Sequence, residues 1–201
     1  MDFKLYNDCI LVPVKCGTRF LSDSGFEQTG NIAMKDLENT PNIPNLKYIV
    51  VRDPIEHFLS AIRQDIVPII DMKLSKKKQR DKINIVLEGY RNMDGLKGLH
   101  YYTKLYECIY RFWRKTKNKD FQTVNINNLS KLLSILGLRF EYDGTRYRPS
   151  SIDKNEFAMW LKSNYEIPFN LCMDDITNDI IFYDALVSKT ILPIGLFEKL
   201  I

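Results

Sequence analysis

The stretch Cys9-Ile10-Leu11-Val12-Pro13-Val14-Lys15-Cys16-Gly17-Thr18-Arg19-Phe20-Leu21, with its counterpart Tyr48-Ile49-Val50-Val51-Arg52-Asp53-Pro54-Ile55-Glu56-His57-Phe58-Leu59-Ser60, decides the fold. Each runs from an apolar strand through a turn carrying a cation into the start of a helix. At the carboxyl edge of a parallel sheet, that succession holds phosphate groups. Two such turns in a chain of 201 residues predict a ligand that is anionic at both ends.

Outward from these two stretches, strand and helix signals alternate. Asp8 to Val14 is a continuous apolar run with β-branched residues, which predicts a buried strand, and a helix is expected from about Thr18. Residues 22–46 are polar and broken by Gly25, Gly30, Pro41 and Pro44, so they are expected to be mostly loop. Lys47 to Val51 is the second strand. Asp53 caps the helix after it, with Pro54 at the first position and Glu56 as the capping-box partner, and the helix should run to about Gln64. Amphipathic stretches follow at 78–90 and 99–116, then a third strand at Phe121 to Asn125 and a short helix from Leu129 stopped by Gly137. A basic loop at 143–151 precedes a helix bracketed by Asp153 and Glu156, and a last helix covers 174–188. This alternation predicts an α/β fold, a three-layer sandwich whose central, mostly parallel sheet is covered on both faces. A single domain is expected over residues 1–201.

Composition narrows the class. Apolar residues make up 45% and charged residues 27%, ordinary values for a globular chain with a real core. A net charge of +4 helps to attract an anion but is too small to argue for nucleic acid. Cys9, Cys16, Cys108 and Cys172 form no CxxC pair, which points away from a zinc site or a disulfide framework and toward a reducing compartment. The first residues lack the layout of a signal peptide, and no apolar run reaches the roughly 18 residues of a membrane span. The expectation is a soluble, cytoplasmic protein with no membrane, nucleic-acid or metal partner.

In Lys15-Cys16-Gly17-Thr18-Arg19, Gly17 lets the backbone turn tightly. The amides of Gly17, Thr18, Arg19 and Phe20 would then converge at a helix start, where oriented N–H groups bind phosphate or sulfate. The Thr18 hydroxyl adds a donor and Lys15 a mobile charge. The pattern is not GxxxxGK[ST], because the lysine precedes the glycine. The same residues also read as a plain strand-to-helix turn with Lys15 in solvent. In the second stretch, Ser60 stands eight positions after Arg52 and shares a helix face with His57. Arg52 and Ser60 could grip one phosphate through a planar fork and a hydroxyl. Alternatively, Arg52 and Asp53 make an ordinary ion pair at a helix start.

Lys15-Cys16-Gly17-Thr18-Arg19 resembles the phosphosulfate-binding loop of sulfotransferases, PKxGT[TSR], and Arg52-Asp53-Pro54-x-x-His57-x-x-Ser60 resembles their 3′-phosphate element, RDPxxRxxSxY. Both occur in the family's order, each after a strand. Gly98-Leu99-His100-Tyr101 looks like a downstream segment of the carbohydrate (Golgi-type) branch, and Phe121 to Leu138 like the family's strand and short helix. Departures are plain: Val14 separates Pro13 from Lys15, His57 replaces an arginine, Ile62 replaces the tyrosine, and Arg52 follows Lys15 by only 37 positions.

The resemblance implies a P-loop-like phosphosulfate-binding turn. It also implies transfer of a sulfuryl group from 3′-phosphoadenosine 5′-phosphosulfate (PAPS) to a hydroxyl or amine acceptor, a carbohydrate among the candidates, with adenosine 3′,5′-bisphosphate (PAP) as product. Lys15 would stabilise the leaving oxygen. Cys16, Gly17, Thr18, Arg19 and Phe20 would hold the 5′-phosphate, Arg52 and Ser60 the 3′-phosphate, and Arg146 and Arg148 lie where some members return to the nucleotide. A base must take the acceptor's proton. His100 and Glu27 are the leading candidates, with Glu38 behind them. Two rivals stay open: a P-loop-like nucleotide kinase, and a non-catalytic module that binds nucleotide or polyanion. The lysine run at 73–82 reads as solvated, and the aromatics Tyr101, Tyr102, Tyr106, Tyr110 and Trp113 read mainly as core.

Overall fold

Asn7 and Asp8 set the first departure from these expectations. Both adopt left-handed backbone, with φ of 47° and 56°, and the Cys9 amide donates to the Tyr6 carbonyl at 3.0 Å. Asparagine and aspartate tolerate this conformation better than other side chains, and a tight turn of this kind folds a strand back on itself. Asp2–Tyr6 is therefore a strand, β1, paired antiparallel with β2 (Ile10–Pro13) from Phe3↔Pro13 to Tyr6↔Ile10. The structure, a computed structural model, describes residues 2–13, 16–37, 39–40, 43–92, 104–116, 120–135, 154–165 and 173–193. Two compact units make up the chain. One is formed by Met1–Pro54, Lys104–Glu141 and Thr177–Ile201, the other by Ile55–Thr103 and Tyr142–Ile176.

The first unit holds a five-stranded sheet in the order β3-β1-β2-β4-β5, with β3 at Gln28–Ala33, β4 at Tyr48–Val51 and β5 at Gln122–Asn125. β4 runs parallel to both β2 and β5, whereas β1 is antiparallel to β2 and β3. The fold class is α/β, but the sheet is mixed where the sequence predicts a mostly parallel one. The reason lies in the segments that carry no strong pattern. A three-residue turn can only reverse the chain, and residues expected to be loop instead supply β3 and the short helix α2 (Met34–Leu37), after α1 (Thr18–Asp23). β3 is an edge strand of polar sequence, Gln28-Thr29-Gly30-Asn31-Ile32-Ala33, without a buried residue.

Alternation along the strands divides the apolar residues between the two faces of the sheet. Phe3, Leu11, Ile49 and Val51 pack in one cluster with Leu37 of α2, with α5 (Leu105–Lys115) and with Phe182, Ala185 and Leu186 of α8 (Met173–Ser188). Tyr6, Ile10, Val12 and Val50 pack in the other with Leu21 of α1, Phe26, and Leu129 and Leu132 of α6 (Leu129–Ile135). Every residue of α5 from Leu105 to Tyr110 is buried, as are Phe112 and Trp113. The Tyr110 ring meets Trp113 at 5.5 Å and Phe182 at 5.4 Å, so these helically spaced aromatics are core. Tyr101 and Tyr102 lie outside the described residues.

The second unit is helical. α3 (Pro54–Asp71) passes through Pro68 instead of stopping near Gln64. Pro68 is exposed, while Ile66, Val67 and Ile69 around it are buried and hold the helix together. α4 (Lys76–Asn92) returns after a short link, and Gln79 closes the end of α3 by donating to the Ile69 and Ile70 carbonyls at 3.3 and 2.9 Å. Phe58 of α3 meets Tyr90 of α4 edge-on at 5.7 Å, and the Tyr90 hydroxyl donates to Asp65. Lys73, Lys76, Lys77, Lys78, Arg80 and Lys82 are all exposed, as a solvated run should be. α7 (Lys154–Asn164) carries a row of aromatics, Phe157 and Trp160 stacking at 5.9 Å.

Candidate functional site

The three parallel strands end side by side. β2 pairs with β4 at Ile10↔Tyr48 and Leu11↔Ile49, and Val51 at the end of β4 pairs with Asn125 at the end of β5. Past this edge each strand enters a helical segment: β2 leads through Cys16-Gly17 to α1, β4 through Arg52-Asp53 to α3, and β5 directly to a 3₁₀ turn (Ile126–Asn128) and α6. The carboxyl edge of parallel strands is where α/β folds place ligands.

Gly17 shapes the first turn. Its φ of 93° lies in the left-handed region, and a Cβ there would come within 2.5 Å of Leu129 Cδ1. Its carbonyl accepts the first bond of α1, from the Leu21 amide at 3.1 Å, so Thr18, Arg19 and Phe20 precede the bonded ladder. The Thr18 carbonyl is held by the Tyr6 hydroxyl at 2.8 Å and by Ser22 Oγ at 3.1 Å. Phe20 is half-buried against the cluster beneath α1.

Cys16 faces inward. Its side chain is fully buried, and its amide already donates to the Pro13 carbonyl at 3.0 Å. Burial pushes the thiol up to about 12 from 9.0, against the opposing pull of the Arg52 charge. Cys16 is thus a neutral thiol, and within its turn it is a packing residue and not a ligand donor. Because the folded state holds this proton more tightly, the stabilisation is complete below about pH 9 and is lost as pH rises toward 12. Burial also raises the Tyr106 phenol, which adds to the same alkaline loss. Replacing Cys16 by Ala should flatten the fall of urea stability above pH 9 by up to about 1.4 kcal/mol per pH unit. Equal slopes in the two proteins would show that Cys16 does not titrate across folding.

Arg52 is half-buried at the end of β4, and its charge reaches the Cys16 thiol in the neighbouring turn. Its backbone is held by Tyr106 of α5: the Arg52 amide donates to the Tyr106 hydroxyl at 3.0 Å, and that hydroxyl donates to the Arg52 carbonyl. Tyr106 is anchored in turn. Its amide donates to Asp179 Oδ1 of α8 at 3.2 Å, and its ring meets Tyr183 edge-on at 5.3 Å. α5 begins after Lys104, which has φ 65° and makes no side-chain cap, so the buried Asp179 caps α5 from another helix. On the far side of Arg52, Asn125 donates to the Tyr183 hydroxyl at 3.3 Å and accepts from the Asn127 amide at 2.9 Å.

The structure therefore brings Cys16, Gly17, Thr18 and Arg52 to one edge. Glu27 is not there. It precedes β3, whose Gln28 pairs with Tyr6, and Tyr6 lies opposite the start of β2, so Glu27 sits at the amino edge of the parallel strands. It is exposed and ties its backbone to Asn7, whose Oδ1 accepts from the Glu27 amide at 2.9 Å. Ser60 and His57 belong to α3 in the second unit. Ser60 is half-buried and His57 fully buried, so the position where the resemblance has its second arginine is turned into the protein. Lys15, Glu38, His100, Arg146 and Arg148, and the side chain of Arg19, lie outside the described residues. Tyr106, Asp179 and Asn125 carry no motif. Tyr106 is visible beforehand only as one of several aromatics at helical spacing.

Among the described residues no helix is long and apolar enough to cross a membrane. No family model, no curated protein and no solved structure matches the chain.

Proposed function

We propose that the chain is a sulfotransferase that takes a sulfuryl group from PAPS and gives it to a hydroxyl or amine acceptor. The observation that carries this reading is the adjacency of two cation-bearing turns on neighbouring parallel strands, after β2 and after β4. That edge can receive the two anionic ends of one nucleotide. In this reading the turn at Gly17 and Thr18 takes the 5′-phosphosulfate through backbone amides, a polarity that suits an anion without a metal. Arg52 takes the 3′-phosphate, and the resemblance assigns Arg146 and Arg148 to the nucleotide as well. The acceptor oxygen or nitrogen forms the new bond to sulfur as the bond from sulfur to the 5′-phosphate oxygen breaks. Lys15 meets the charge growing on that oxygen. His100 takes the acceptor's proton. Glu27, at the other edge of the sheet, is left out of this scheme.

Calorimetric titration with PAP tests the donor half. Binding is expected, and Arg52→Ala should weaken it by about 1.5–3 kcal/mol, roughly 10- to 150-fold in Kd. Absence of heat at millimolar PAP, together with binding of ATP and magnesium, would replace this reading by a nucleotide kinase. PAP binding without sulfate transfer to any acceptor in a broad screen would leave a nucleotide-binding module.

A further inference from the structure

We infer that Tyr106 is the positioning residue that aims Arg52 at the 3′-phosphate, an inference that rests on the donor reading above. One hydroxyl engages both backbone groups of residue 52, accepting from its amide at 3.0 Å and donating to its carbonyl. Residue 52 is the first beyond β4, where the ladder to β5 has ended at Val51↔Asn125. There the Tyr106 hydroxyl engages both backbone groups of residue 52, from which the guanidinium projects. This two-point clamp comes from a helix packed on one face of the sheet, not from the edge that would meet the ligand.

The clamp is itself rigidly mounted. Tyr106 is fully buried, its amide is bonded to the buried Asp179, and Tyr183 packs against its ring while bonded to Asn125 at the end of β5. Arg52 is thus tied through one side chain to α5, α8 and the neighbouring strand. A side chain projecting from a backbone held this way starts from a fixed origin when an anion arrives, so the loss on cutting the clamp should fall on the group that Arg52 grips.

The comparison of PAP with adenosine 5′-phosphate isolates that group, because the two ligands differ only in the 3′-phosphate. Tyr106→Phe keeps the ring and its packing and deletes the clamp. It should weaken PAP roughly tenfold, the order expected when a binding group is misplaced. Its affinity for adenosine 5′-phosphate should stay within about twofold. In an Arg52→Ala background the same substitution should change PAP affinity by no more than about twofold, because its effect runs through Arg52.

Loss of both ligands in parallel would make Tyr106 a structural residue only and overturn the inference. So would an unchanged preference for PAP. If the Phe variant does not fold, p-aminophenylalanine at position 106 keeps a donor to the Arg52 carbonyl but is a poor acceptor for the Arg52 amide, so its PAP preference should fall below that of the unaltered protein. An undiminished preference there overturns the inference equally. If the unaltered protein itself shows no preference for PAP over adenosine 5′-phosphate, the donor reading fails and this inference fails with it. Preference in the unaltered protein with none lost in the variants removes this inference alone.

Discussion

Gly17→Ala should destabilise the protein by about 2–5 kcal/mol and disable the first turn. Two separate costs add. An L-residue forced to φ 93° pays about 1–2 kcal/mol for left-handed backbone, wherever its side chain points. The new methyl also comes within 2.5 Å of Leu129 Cδ1, and Leu129 is buried in the cluster under α1, so it cannot swing into solvent. Displacing a packed side chain of this kind costs about 1–3 kcal/mol. The two shares can be told apart by adding Leu129→Ala. That second change removes the atom that clashes but leaves the backbone cost, so Gly17→Ala should cost less in the Leu129→Ala background by the steric share alone. Urea midpoints at constant slope measure both effects. A Gly17→Ala protein within about 0.5 kcal/mol of the parent would mean that the turn does not need its left-handed residue.

That turn was legible beforehand for a physical reason, and the failures have equally physical ones. β2 and β4 are buried on both faces by helices, so Ile10-Leu11-Val12 and Ile49-Val50-Val51 must be apolar throughout, and a run of that kind reads as a strand. β1 lies inside the sheet too, but Lys4 interrupts its short run, and Asp8 of the Asn7-Asp8 turn falls within the apolar stretch that predicts a strand from Asp8 to Val14. β3 is the end strand of the sheet among the described residues and has no buried residue, so nothing obliges its sequence to alternate strongly. Helix α3 outran its expected end because buried apolar residues on either side of Pro68 outweigh one missing ladder bond. Arg52 could be named from its motif. The clamp on Arg52 could not, since Tyr106 lies 54 positions away and the contact exists only because α5 packs on the face beneath β4. A proton acceptor for the proposed reaction is the least legible feature: Glu27 belongs to a polar segment with a loop-like sequence that runs into β3 at the opposite edge.

Lys15→Ala should lower kcat for PAPS-dependent transfer about 100- to 1,000-fold and leave KM for PAPS within a few-fold. The asymmetry follows from where charge develops. In bound PAPS the oxygen bridging sulfur and the 5′-phosphate carries little charge, and under the proposed function the phosphosulfate would be held chiefly by amides of the Gly17 turn, which the substitution leaves alone. As the bond to sulfur breaks, that oxygen becomes an anion, and a lysine beside it is attracted most strongly at that stage. An interaction that grows toward the transition state appears in kcat and not in KM. PAP itself presents a full phosphate dianion at the same place, so product affinity should fall more than substrate affinity, a signature that a remote structural defect would not produce. Initial rates of PAP release across PAPS concentrations, with the Kd for PAP measured separately, supply all three quantities. Lys15→Arg keeps the charge but spreads it over a planar fork, and it should recover part of kcat. A normal kcat in Lys15→Ala would mean that a different cation meets the leaving oxygen. A loss confined to KM would make Lys15 a uniform binder of the donor, with no share in the chemical step.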